Sequence, residues 1–216
     1  MTAQCERVEC RRFPPLIYRC SHHRSTSRFT AAVSADLNEP APAPLTLDAP
    51  QLHAAIAEIV SAIQHRHRNR ANLCFIGIAN GGLELNRRIA AAVDPKVPTG
   101  ELDTSFYRDD IGRNPIPKES RPTIIPFDVT GKTVVLVDDV LYSGRTLNAA
   151  LNELFDHGRP AAVELAVLVD RGGRKLPFSP DYCGIKLNTT AKQNVKVHLD
   201  PHADSHDSVT ITSVRS

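Results

Sequence analysis

Long apolar runs are missing from this 216-residue sequence. The longest falls far short of the ~20 residues that a membrane-spanning helix requires, so no span is expected. A secretory signal core is missing too, since Phe13-Pro14-Pro15-Leu16-Ile17 is short and broken by prolines. Charge of one sign is scarce. The formal net charge is +2, and residues 1–44 hold 6 Arg, no Lys and 4 acids, which leaves 20 basic and 20 acidic residues for the remainder. Any nucleic-acid surface on that neutral body must therefore be a local patch. Compact cysteine pairs are also wanting. Cys5, Cys10 and Cys20, with His22 and His23, show no Cys-x2-Cys spacing, which argues against structural zinc. An odd total of five cysteines without framework spacing excludes a disulfide scaffold and fits a reducing cytoplasm. Cys74 and Cys183, in apolar strand contexts, are expected as buried thiols. No internal repeat is evident.

What is present is an ordinary globular composition, 41% hydrophobic, at a length suited to one domain and an appendage. Residues 1–44 end in the run Glu39-Pro40-Ala41-Pro42-Ala43-Pro44 and read as a disordered or mis-assigned extension. Their arginines and serines suit a transit peptide, but Glu6 and Glu9 count against it. A folded domain is expected over 45–200 and a tail over 201–216. Asp48, Pro50 and Gln51 form a helix start with an Asp-x-x-Gln capping box. Leu52, Ile56, Ile59, Val60 and Ile63 then repeat as one apolar stripe. The helix ends in His65-Arg66-His67-Arg68-Asn69-Arg70, a solvated terminus or part of an anionic-ligand surface. Buried-strand runs at 73–78, 133–137 and 161–169, a strand at 101–107 and helices at 83–93 and 146–157 complete an α/β alternation. Continuous apolar strands in that alternation imply a mostly parallel sheet covered by helices on both faces. The long Pro/Gly-containing segment 108–126 reads as a mobile loop.

The most informative stretch is Val137-Asp138-Asp139-Val140-Leu141-Tyr142-Ser143-Gly144-Arg145-Thr146. A buried parallel strand delivers two carboxylates at its C-terminal edge, where open α/β sheets bind ligands. A Gly- and hydroxyl-containing loop then enters a helix N-terminus, whose N–H groups and dipole suit a phosphate monoester. The acids would repel that phosphate, so they suit a ribose diol or Mg²⁺ held through water.

This segment resembles the phosphoribosyl-pyrophosphate (PRPP) motif of type I phosphoribosyltransferases. The stretches Gly100–Ile111, Asp128–Thr146, Leu165–Pro177 and Asp181–Thr190 resemble, in order, the family of bifunctional pyrimidine operon regulators and uracil phosphoribosyltransferases (PyrR). The resemblance spans residues 45–200. It implies the type I phosphoribosyltransferase fold with a small hood region, and conversion of uracil and PRPP to UMP and diphosphate with Mg²⁺. Asp138 and Asp139 would hold the ribose hydroxyls, Tyr142, Ser143, Gly144, Arg145 and Thr146 would wrap the 5′-phosphate, and Val140 and Leu141 would be substrate-binding residues beside them. Arg108 would meet pyrophosphate as the loop closes, and Arg171 and the backbone near Val195 would face uracil. Arg171 is alternatively a surface ion-pair residue. The resemblance also implies UMP or UTP sensing, binding of an mRNA leader hairpin in transcription attenuation, a cytoplasmic location, and a homodimer or larger assembly. Arg66, Arg68, Arg174, Lys175 and Lys186 are the candidate RNA contacts.

Two departures bear on this. The family's pyrophosphate loop reads Thr-Arg-Gly, whereas Ala79-Asn80-Gly81-Gly82 stands here. The lost arginine would contribute about 1.5–3 kcal/mol as a charge-assisted contact, so weakened catalysis with surviving nucleotide binding is expected. The family histidine in the Arg171–Lys175 loop is replaced by Gly173. An RNA-independent nucleotide sensor and another type I phosphoribosyltransferase, for a purine, are the alternatives.

Overall fold

The computed structural model describes residues 45–78, 81–104 and 122–213. The first strand, β1 (Leu45–Leu47), leads into α1 (Ala49–Arg66), and the expected capping box is formed. The Gln51 backbone N–H donates to Asp48 Oδ1 at 3.2 Å, and Gln51 Oε1 accepts from the Asp48 backbone N–H at 3.1 Å. Two N-terminal donors are thereby satisfied, typically worth ~1 kcal/mol for such a cap. Leu52, Ile56, Ile59 and Ile63 are buried, while Val60, at the stripe's margin, is only partly covered.

Five strands form a parallel sheet in the order β3-β2-β4-β5-β6: β2 (Leu73–Ile78), β3 (Thr99–Leu102), β4 (Thr133–Leu141), β5 (Ala162–Asp170) and β6 (Tyr182–Lys186). Every residue of β2 is buried, as a central strand covered on both faces demands. Its alternate side chains feed two cores. Phe75 joins the α1 and α2 (Gly82–Val93) side, whereas Cys74, Ile76 and Ile78 join the side covered by α3 (Arg145–Asp156). Full burial of such side chains contributes about 1.5–3 kcal/mol each. The chain leaves β2 towards edge strand β3 and returns on the other side as β4. Strand order therefore reverses between β2 and β4, and the turns after those strands diverge to opposite faces. A crevice at the carboxyl edge of an open sheet follows from that topology.

Two boundaries differ from the sequence expectation. The strand expected over 101–107 spans Thr99–Leu102, because Gly100 and Leu102 are the inward residues of an alternating edge strand; residues 105–107 lie outside the described region. The tail expected over 201–216 contains β8 (Ser208–Ser213), which pairs antiparallel with β1 on one side and with β7 (Gln193–His198) on the other. Val209 and Ile211 are buried there with Val195. This three-stranded sheet is a second, smaller sheet whose buried residues join the core under α1. Residues 1–44, with the expected extension, and the bulk of the 108–126 loop lie outside the described residues. No described helix is long and apolar enough to cross a membrane.

Candidate active site

Asp138 ends the buried run of β4 and Asp139, half-buried, follows it towards the carboxyl edge of the strand. The Asp139 backbone N–H donates to Asp138 Oδ1 at 2.9 Å. Burial, then the neighbouring Asp139 charge, pushes the Asp138 carboxyl well above the usual carboxylate range. Burial also raises that of Asp139. Among the described residues, no Lys, Arg or His forms an ion pair with either acid, unlike Glu84, Glu164, Asp170 and Asp207 elsewhere in the chain. A buried carboxylate and a half-buried neighbour, with no cation paired to them among the described residues, form a site complementary to hydroxyl donors or a divalent ion. No cluster of three or more potential metal ligands occurs among the described residues. A hard cation would thus share its coordination between these acids, water and a ligand's own oxygens, the usual arrangement for Mg²⁺.

The turn before α2 presses against the acid pair. A Cβ built on Gly81 would stand 2.1 Å from Asp139 Oδ2, and one on Gly82 would stand 2.2 Å from the Val137 carbonyl oxygen. Backbone already occupies the side-chain space at Gly82, while any side chain at Gly81 would have to displace the Asp139 carboxylate. Ala79 and Asn80 lie outside the described residues, as does Arg108.

The segment Tyr142–Gly144 connects β4 to α3. Gly144 adopts φ 88°, a left-handed conformation that suits glycine, and α3 begins without a side-chain cap. The Arg145 backbone N–H donates to Ser143 Oγ at 3.3 Å, and Thr146 is exposed. An uncapped first turn, with nearby hydroxyls, offers donors to an anion.

This loop is held by the connection between β5 and β6. The Arg174 guanidinium donates to the carbonyls of Leu141 (3.2 Å), Tyr142 (2.8 Å) and Phe178 (3.0 Å), and pairs with Asp170 at 2.7 Å. The backbone N–H groups of Lys175 and Leu176 both donate to the Ser143 carbonyl at 3.0 Å. Leu176 and Phe178 fill the space beside Gly144. Arg171 is only 6% exposed, with its guanidinium over the Tyr142 ring and its donors on the 189–193 segment. Val195 is buried in the core rather than presenting a side chain to the crevice. The sequence carries no local signal for the Arg174 clamp, because the loop carbonyls it holds lie more than thirty residues upstream.

A family model, the phosphoribosyl transferase domain, matches residues 47–204. The chain belongs to the phosphoribosyltransferase family. Within it, curated PyrR proteins are similar over most of the chain, and this is a PyrR-family chain. The Bifunctional protein PyrR of Gloeothece citriformis is 43% identical over 167 residues, covering 76% of this chain and 93% of the relative. That of Roseiflexus is 46% identical over 158 residues, covering 71% and 86%. Among solved structures, the hypoxanthine phosphoribosyltransferase of Trypanosoma cruzi superposes with a TM-score of 0.57 at 21% identity, covering 77% of this chain and 94% of that one. That likeness carries the fold: a type I phosphoribosyltransferase.

In this PyrR-family chain the basic candidates separate. Arg66 pairs with Glu164 at 3.0 Å and with Asp181 at 3.4 Å, at the amino ends of β5 and β6. Arg68 is exposed just beyond α1. Lys175 and Lys186, both exposed, lie at the opposite, carboxyl edge, beside the clamped loop. Arg174 is committed to the loop carbonyls and Asp170. Six residues of β5 separate Glu164 from Asp170, or ~20 Å of extended strand. The five residues therefore do not form one patch.

Proposed function

We propose that this chain transfers a phosphoribosyl group from PRPP to uracil, giving UMP and diphosphate. One observation carries the reading: an acid pair, Asp138 buried and Asp139 half-buried, with no ion-pair partner among the described residues, precedes a clamped helix entry without a side-chain cap at the carboxyl edge of the sheet. In this reading Asp138 and Asp139 hold the ribose hydroxyls, and Tyr142–Thr146 encloses the 5′-phosphate. When bound with PRPP between those acids and the substrate's oxygens, Mg²⁺ would offset the charge of the diphosphate. The chain's own residues orient the ribose and phosphate so that the anomeric carbon faces the incoming uracil nitrogen. Arg108 belongs to the pyrophosphate side of the same reading.

Turnover is expected to be slow. The turn after β2 brings no arginine, and the missing contact of about 1.5–3 kcal/mol corresponds to roughly one to two decades of rate. Arginine at position 81 would meet the Asp139 carboxylate, so Asn80→Arg is the informative restoration. The experiment is an assay of UMP and diphosphate formation by the purified chain with uracil, PRPP and Mg²⁺. Slow formation that Asn80→Arg accelerates supports the proposal. No UMP formation in either protein, together with no PRPP binding, overturns it.

The kinship with proteins named bifunctional supports a second role, regulation of a pyrimidine operon through an mRNA leader hairpin. The Lys175 contact favours it, since this residue's N–H is bonded to the Ser143 carbonyl and its side chain is exposed. Ligand at the loop and RNA at this lysine would then be linked. Salt-dependent filter binding with and without UMP tests the role. RNA affinity that does not respond to UMP would leave only the enzyme or a nucleotide sensor.

A further inference from the structure

Tyr142, the first residue of the loop before α3, is part-exposed and touches two residues of the β5–β6 connection. The Arg171 guanidinium carbon lies 4.1 Å from the centre of its ring. Gly173, at φ 73°, also lies against the ring and leaves room for it that no other residue would leave. A Cβ there would stand 2.4 Å from Tyr142 Cε2 and 3.0 Å from Cδ2. Arg171 also reaches the segment leading into β7. Its Nε donates to Thr189 Oγ1 at 3.1 Å, and its Nη2 donates to the carbonyls of Thr190 and Gln193. Thr189 Oγ1 in turn donates to the Arg171 carbonyl at 3.0 Å, and the Arg171 backbone N–H donates to the Leu141 carbonyl at 3.1 Å. No carboxylate forms an ion pair with this guanidinium among the described residues; an aromatic face and neutral oxygens surround it. A cation so desolvated gains more from a ring face than an exposed one does.

We propose that Arg171 is a positioning residue that acts through the Tyr142 ring. It fixes the conformation of the loop before α3 and ties that loop to the 189–193 segment, so that the two move together. Its role is then not contact with the base. The inference rests on the reading of residues 142–146 as the phosphate loop.

The test compares UMP with uridine by calorimetry, because the ratio of their affinities isolates the phosphate contribution. Arg171→Met is expected to lower that ratio by about tenfold, within what a desolvated cation–π contact supplies, while uridine affinity stays unchanged. Tyr142→Leu should reproduce the loss and Tyr142→Phe, which keeps the ring, should not. The Arg171→Met/Tyr142→Leu double variant should be no worse than the poorer single one. Equal loss of UMP and uridine affinity in Arg171→Met would indicate a base contact and overturn the inference. Should Arg171→Met fail to fold, the two Tyr142 variants decide: an unchanged ratio in Tyr142→Leu overturns it. A wild-type protein that does not prefer UMP to uridine would overturn the phosphate-loop reading itself, a result distinct from either.

Discussion

At the scale of single residues, the acid pair is arranged at the expense of stability. The raised proton affinity of Asp138 means that the folded state holds its proton to higher pH than the unfolded chain, whose carboxylates titrate near ~3.9. The unfolded state therefore releases the proton first. Relative stability is fully present below that unfolded value and is lost as pH rises through the folded one. Asp138→Asn removes the buried charge while keeping shape and polarity. We expect it to raise the melting temperature at pH 7, with the gain shrinking towards pH 4, and to abolish PRPP binding. Thermal melts at the two pH values, with calorimetry against PRPP, check this. A lower melting temperature at pH 7 would show that the carboxylate is satisfied in the free protein. Gly81 and Gly82 make the same point sterically, since the turn after β2 exists in this form only because nothing larger fits against Asp139 and Val137.

At the scale of elements, the loop entering α3 is shaped from outside. Its own contribution is Gly144 in the left-handed region and the short Ser143 contact to the Arg145 N–H. The connection between β5 and β6 supplies the rest: Arg174 binds carbonyls of residues 141 and 142, and two consecutive N–H groups bind that of Ser143. Hydrogen bonds from a charged donor contribute about 1.5–3 kcal/mol each before solvent screening, and Arg174 is largely covered. Arg174→Met, which keeps the packing stem, should therefore destabilise the fold by about 2 kcal/mol and weaken UMP binding. Denaturant titration and calorimetry would measure both, and an unchanged UMP affinity would detach the clamp from the site. The sequence marks Arg174 as a surface cation because a charge in a Gly-rich loop is ordinarily solvated. The carbonyls of residues 141 and 142 came within its reach only when β4 and β5 paired side by side.

At the scale of the whole molecule, the small sheet shares the core under α1 and is also tied to the large sheet's helices by an ion-pair network. Arg88 on α2 pairs with Asp207 at 2.5 Å and Glu84 at 2.7 Å, and donates to the Asp200 carbonyl at 2.6 Å. His53 on α1 and the Asp200 backbone N–H also meet Asp207. Burial alone would raise the Asp207 carboxyl, but the Arg88 hydrogen bonds, the Asp200 N–H and His53 outweigh it and hold it below the usual range. This contribution is present above the unfolded carboxylate range near ~3.9 and is lost as pH falls through the folded value. Hydrogen exchange in β7 and β8 should accordingly rise relative to β4 at low pH. Arg88→Met should produce that contrast already at neutral pH, and uniform exchange across both sheets would exclude the network as their tie. The sequence by itself determined the features whose physics is local: the capping box of α1, the apolar runs of β2, β4 and β5, the parallel sheet they imply, and the acid pair followed by the loop at a helix start. Partners there lie within a few residues, or on one face of one element, so spacing reveals them. Only the tertiary structure decided that β8 exists, that Gly81 abuts Asp139, and that Arg171 and Arg174 turn inward to Tyr142 and the loop carbonyls. Those contacts join segments distant along the chain, and pairing of the strands, rather than any local pattern, brings them within reach.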